Sequence, residues 1–191
     1  MIPVFWRVIM ILDDKFQADY YRMTGRKFRI DQYFIINILA RHNVRFAFWY
    51  RIHQAAKSGI VSRIALYRLS RKYGLEFSTS ASIGKGLYLG HPYNITVGDG
   101  VRLGNNVNIH KGATIGVENR GSRIGAPTIG DRVFIGINST VIGNIVIGDD
   151  VMICPGAFVN FDVPFHSVVI GNPGVIHTRM NATKDYVVNC V

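Results

Sequence analysis

Acidic residues are scarce in this chain. Twelve Asp and Glu stand against 22 Lys and Arg in 191 residues, for a formal net charge of +10. The shortage is local: residues 1–75 hold 14 basic and 4 acidic side chains, and the rest of the chain is balanced. A basic segment of this kind can meet nucleic acid, an anionic membrane surface or an acidic partner, or form a solvated face. No nucleic-acid motif accompanies it, which argues against a nucleic-acid partner. Cysteine is also rare. Cys154 and Cys190 make neither a CxxC pair nor a metal-ligand spacing, so no metal is expected and a reducing compartment is favoured. Cys154 falls inside a repeat and reads as a small buried apolar group. Long hydrophobic runs are missing too. The opening "MIPVFWRVIMIL" is broken by Arg7 and has neither the length of a spanning helix nor a small-residue cleavage site. It is expected to dock on the protein as a helix or strand, or alternatively on a membrane surface. The expected location is cytoplasmic, with peripheral contact at the inner face of the membrane as the alternative.

What is present divides at residue 75. With 48% hydrophobic and 18% charged residues, the chain should fold. Residues 1–75 read as a basic α-helical segment. The stretch 31–59 has no proline and stops at Gly59, which predicts one long helix, apolar around much of its girth. Such a helix is buried in a core or against another subunit, or rests on a membrane interface. Residues 61–74 place Val61, Ile64, Ala65, Leu69 and Tyr73 at helical spacing, with Gly74 as the C-terminal cap.

From about residue 77 a six-residue repeat takes over. Its anchors are Ile83, Leu89, Val97, Leu103, Ile109 and Ile115, then Ile129, Ile135, Val141, Ile147, Ile153 and Val159. Glycine commonly follows an anchor, where it permits a tight corner. A small or apolar residue usually stands four positions on. Each hexad is then a short strand plus a turn, and three hexads close one triangular coil. Coils stacked at about 4.8 Å would make a prism of about 20 Å from four turns. A strict period of six is hard to reconcile with an ordinary glycine-rich sandwich.

The period slips twice. Leu89 to Val97 spans eight residues, and Ile115 to Ile129 spans fourteen. Extra residues must leave the coil as loops, and such loops tend to mark a functional face. The first slip holds His91, Pro92, Tyr93 and Asn94. The second, "VENRGSRIGAPT" (117–128), holds Glu118, Arg120 and Arg123.

The repeat, the two slips, the histidine just after the second anchor and the closing "VPFHSVVIGNPGVI" together resemble the left-handed parallel β-helix acyltransferases. Within them the chain is most similar to the serine acetyltransferase branch, which includes O-acetyltransferases of bacterial surface polysaccharides. The resemblance covers residues 76–179 and is loose in the helical part. It implies a mainly β fold, a left-handed parallel β-helix preceded by an α-helical segment, with residues 180–191 as a tail. It implies a homotrimer with active sites between subunits, which the N-terminal helices could join into larger assemblies. It implies acetyl-CoA as co-substrate and His91 as the base that deprotonates an acceptor hydroxyl. A base in that role contributes ~10²–10⁴-fold, and histidine suits neutral pH. The family's carboxylate, which would orient the imidazole, falls on Glu76.

Other roles follow the same resemblance. The pantetheine arm would pass "GINST" and "CPGAF", beside Gly136, Gly156 and Ala157. The adenine end would meet "GNPGV" at Pro173, and Arg179 would serve the phosphates. Tyr93, Asn94, Glu118, Arg120 and Arg123 would line the acceptor side. His110 reads as a structural corner that could face the same groove. His166 and His177 read as structural.

The chain departs from the serine acetyltransferase pattern at the acceptor. Gly90 replaces the aspartate before the catalytic histidine, and Gly125 and Ala126 replace an Arg-His pair. An amino acid needs charges at both ends, and these positions supply none. The expected acceptor is therefore a sugar hydroxyl of a capsular polysaccharide or exopolysaccharide. Serine, in cysteine biosynthesis, is the alternative.

Overall fold

The computed structural model describes residues 14–55 and 59–191. The opening apolar segment lies outside them. Among the described residues four helices come first: α1 (Asp14–Thr24), α2 (Gln32–Ala40), α3 (His42–Ala55) and α4 (Ile60–Tyr73). Fifteen short strands follow in three sheets. The first sheet has the order β1 (Leu75–Phe77), β4 (Ile95–Val97), β7 (Thr114–Gly116), β10 (Thr140–Ile142) and β13 (Phe158–Val159). The second stacks β2 (Ser82–Ile83), β5 (Arg102–Leu103), β8 (Thr128–Ile129) and β11 (Val146–Ile147). The third stacks β3 (Tyr88–Gly90), β6 (Asn108–His110), β9 (Phe134–Ile135), β12 (Val151–Ile153), β14 (Ser167–Ile170) and β15 (Val175–Thr178). Pairing is parallel except for the last pair, β14 with β15.

This is a parallel β-helix, and the anchors build it. Every third anchor falls in one ladder: Ile83 pairs with Leu103, then Ile129 and Ile147. Leu89, Ile109, Ile135 and Ile153 form a second ladder, continued by Val169. All twelve anchors are buried, none more than 5% exposed. Left-handed backbone recurs at one corner of successive coils, at Gly86, Asn106, Arg132, Asp150 and His166.

The helices close the first coil. A solenoid end exposes apolar surface and needs a cap. Phe46, Tyr50 and Leu69 join the solenoid core, and Tyr50 donates its hydroxyl to Ser78 O at 3.0 Å. Arg51, 2% exposed, pairs with the fully buried Asp19 at 2.8 Å and donates to the carbonyls of Ile83 and Gly84. Asp19 in turn accepts the amide of Leu87 at 2.7 Å. A second, smaller core of Phe16, Tyr20, Met23, Val44 and Ala47 holds α1 to α3, with Phe28, Phe34 and Phe48 packed edge-on around it.

One sequence expectation is corrected here. The stretch 31–59 is not one helix. Arg41 is extended (φ −104°, ψ 112°) and donates to Met23 O, so α2 ends and α3 begins at a new angle. The α4 stripe is buried only in part: Val61 and Ile64 are 63% and 48% exposed, whereas Leu69 of the same stripe is buried, as is Ser62, which bonds His53. Gly74 does cap α4 in left-handed conformation (φ 66°). Among the described residues no helix is long and apolar enough to cross a membrane.

Candidate active site

The first register slip can be counted residue by residue. Gly90 pairs with His110, and Asn94 takes the left-handed corner that Gly112 takes in the next coil. Three residues, His91, Pro92 and Tyr93, therefore stand where that coil has Lys111 alone. The three leave the coil, and the amide of Gly112 is bonded back to Tyr93 O at 2.8 Å. His91 sits at the exit with φ 47° and an exposed ring. Tyr93 is 46% exposed and packs with Tyr73 and His42, whose rings are stacked at 4.5 Å. Burial lowers the pKa of His42.

His91 lies at one end of a groove of about 400 Å³ that also touches His110, Ile137 and Pro155. These residues occupy one corner of successive coils, so the groove follows the stacking direction. His110 packs against Phe134 at 4.6 Å, and its Nε2 is buried without a hydrogen-bond partner among the described residues. Burial lowers the His110 pKa, and the neighbouring His91 adds to the effect.

Glu76 is elsewhere. It is exposed on β1, in a groove with Tyr67, Ser78, Thr96 and Asp99 between α4 and the first sheet. Among the described residues no hydrogen bond or ion pair joins it to His91. The second slip forms a small hairpin. Glu118 and Gly125 exchange two backbone bonds of 3.0 Å, and Glu118 Oε1 caps the amides of Asn119 and Arg120. Glu118, Arg120 and Arg123 share a groove with Asn160 and Phe161, and Arg123 lies 3.5 Å from Asp162. This hairpin projects between the first and second sheets, whereas His91 projects between the third and first. Within one subunit the two slips are on different edges.

The remaining positions are spread along the coils. Gly136 is buried, and a Cβ there would meet Pro155 N at 2.6 Å. Gly156 is an open left-handed corner (φ 72°). Ala157 points into the core at 1% exposure, so only its backbone faces outward. Pro173 follows a cis bond in the last turn, and Arg179 is exposed beside Met180 and Asp185. His166 is structural: its Nδ1 lies 2.7 Å from Asp150 Oδ2. Cys154 is half-buried, and burial raises its thiol pKa. Sequence reasoning missed the tail. Asp185, Tyr186 and Val188 line the His91 groove, and no local pattern announces them.

A family model described as bacterial transferase hexapeptide (six repeats) matches residues 126–160. Serine acetyltransferase 4 of Arabidopsis thaliana is 35% identical over 127 residues, covering 65% of this chain and 36% of that protein. The serine acetyltransferase of Helicobacter pylori is 36% identical over 116 residues, covering 60% of this chain and 68% of the relative. The chain spans only 33% to 46% of the Arabidopsis and Synechococcus elongatus relatives. The crystal structure of Neisseria gonorrhoeae serine acetyltransferase in complex with serine aligns at TM-score 0.72 and 28% identity, covering 91% of this chain and 70% of that one.

These relatives overturn the sugar of a surface polysaccharide as the expected acceptor: proteins 32–38% identical to this chain are serine acetyltransferases. The expectation leaned on missing charges, and for one of them the structure supplies a different cause. A Cβ on Gly90 would lie 2.5 Å from His110 Nδ1, so packing alone is a sufficient reason for glycine at this position.

Proposed function

The chain belongs to the serine acetyltransferase family, and from that premise we propose that it transfers the acetyl group of acetyl-CoA to the hydroxyl of serine. The observation that carries this reading is His91, exposed at the register slip and at the head of a groove along the coils. In this reading the imidazole accepts the serine hydroxyl proton as the oxygen attacks the thioester carbonyl. The tetrahedral intermediate collapses, and the imidazolium returns the proton to the departing CoA thiolate. No covalent enzyme intermediate is required. Burial and the nearby imidazole favour neutral His110, which keeps a fixed positive charge away from the base.

We propose a homotrimer as the working unit. The two slips sit on different edges of one prism, and a three-fold arrangement can bring one subunit's His91 to its neighbour's hairpin. Glu118 would then face the serine ammonium, and Arg120 and Arg123 its carboxylate. Glu76 would orient the imidazole in the assembled site. The pantetheine arm would follow the corner backbone past Gly136 and Gly156, with Pro173 and Arg179 at its far end. The reaction would run in the cytoplasm, where acetyl-CoA is at hand. The test is serine-dependent release of CoA thiol by the purified protein. A protein that binds CoA and does not turn over serine would overturn the acceptor.

A further inference from the structure

Three polar side chains along the third sheet are buried, Asn108 on β6 at 2% exposure and the corner residues Asn106 and Asp150, before β6 and β12, at 6% and 5%. The tail covers them. Asp150 accepts the amides of Ala182 and Thr183 and the Thr183 hydroxyl at 2.7–3.0 Å. Asn108 Nδ2 donates to Tyr186 O at 2.9 Å, and Asn106 makes two bonds to the backbone of Val191. Arg22, on α1 and 2% exposed, completes the set. Its guanidinium donates to Val188 O, Gly86 O and Asn108 Oδ1 at 2.8–2.9 Å. One side chain thus joins the N-terminal helices, the first coil and the tail.

So pinned, the tail stands opposite the row of corners that begins at His91. Tyr186 packs on Phe134 at 5.3 Å and Phe134 on His110 at 4.6 Å. Yet Tyr186 and Val188 remain 57% and 49% exposed, and both face the groove. Ordered apolar side chains held by buried polar anchors, but uncovered on one side, are what a wall for a ligand requires.

We propose that residues 184–188 form one wall of the acyl-CoA channel, with Tyr186 and Val188 touching the donor and Arg22 and Asn108 as positioning residues. The proposal rests on acetyl-CoA being the donor. A pantetheine arm laid along the corners can use their backbone amides and carbonyls on one side. On the other side it needs apolar surface for its methylenes, which the tail supplies.

The test is a calorimetric titration with CoA alone, so that no acceptor enters. Tyr186→Ala and Asn108→Ala should each weaken binding about tenfold. Tyr50→Phe, which removes a hydroxyl bond on the α3 side, should lower the melting temperature and leave the CoA affinity within about twofold. CoA should also slow tryptic cleavage after Lys184 in the unaltered protein and fail to do so in Arg22→Lys, which keeps the charge and loses the fork. If the unaltered protein binds no CoA, the donor assignment falls and the wall with it. If it binds CoA and Tyr186→Ala binds equally well, the wall alone is wrong. Should Asn108→Ala not fold, Tyr186→Ala decides.

Discussion

The imidazole of His110 occupies the space that any side chain on Gly90 would need. A Cβ at residue 90 would lie 2.5 Å from Nδ1 and 3.0 Å from Nε2 of the ring. Gly90 immediately precedes His91, so a side chain at residue 90 would act on both corner histidines, which are already neighbours in charge.

Gly90→Ala should therefore push the His110 ring off Phe134. The expected cost is about 1–3 kcal/mol of stability, together with a loss of acetyl transfer. His110→Ala should relieve most of it in the double variant. Thermal melts of the four proteins in the cycle give the coupling directly.

Replacing His91 with Ala should cut acetyl transfer by about 10²–10⁴-fold. The ring is exposed and makes no hydrogen bond among the described residues, so the melting temperature and oligomeric state should hold. Steady-state turnover beside a thermal melt separates the two effects. Undiminished turnover would remove His91 from the mechanism.

The buried Arg51–Asp19 pair should be costly to break and cheap to replace. Asp19→Ala leaves a guanidinium buried without its counter-charge, and the expected loss is about 3–5 kcal/mol. Replacing both residues with apolar ones of similar volume should restore part of it. Urea titrations report each value.

Acid should loosen the tail before it unfolds the coils. Burial pushes the Asp150 carboxyl up, but hydrogen bonds from Thr183 and His166 and from the amides of Thr183 and Ala182 outweigh it and hold the group at about 2. A depressed folded value contributes stability that is complete above the unfolded value of 3.8 and is lost as pH falls towards 2. Hydrogen exchange of residues 182–188 should accelerate across that window, and Asp150→Asn should flatten the response.

The solenoid was legible in the sequence because its signal repeats. Each anchor and each glycine corner restates the same constraint, and twelve anchors agree. His91 was legible because it breaks that count. The tail was not legible, since Arg22 meets Val188 across 166 residues with no period linking them. The break at Arg41 was hidden for a similar reason: no proline or glycine marks it, and a bond to Met23 O at the end of α1 holds it open. The acceptor was misread because an absent side chain at residue 90 has two causes, and only the packed structure shows the ring of His110 filling the gap.

A stack of coils is mechanically one-dimensional, since each turn touches only the next and can in principle melt alone. The tail alters that. From Thr183 to Val191 it runs against the stacking direction, from Asp150 past Phe134 to Asn108 and Asn106, and ends beside Arg22 and Gly86. It thus laces turns that are not neighbours, and through Arg22 it ties residues 183–191 to α1. Fraying at either end of the prism should pull on the other, so that above the window in which Asp150 is protonated, with the tail anchored, the coils and the helical cap unfold as one cooperative unit.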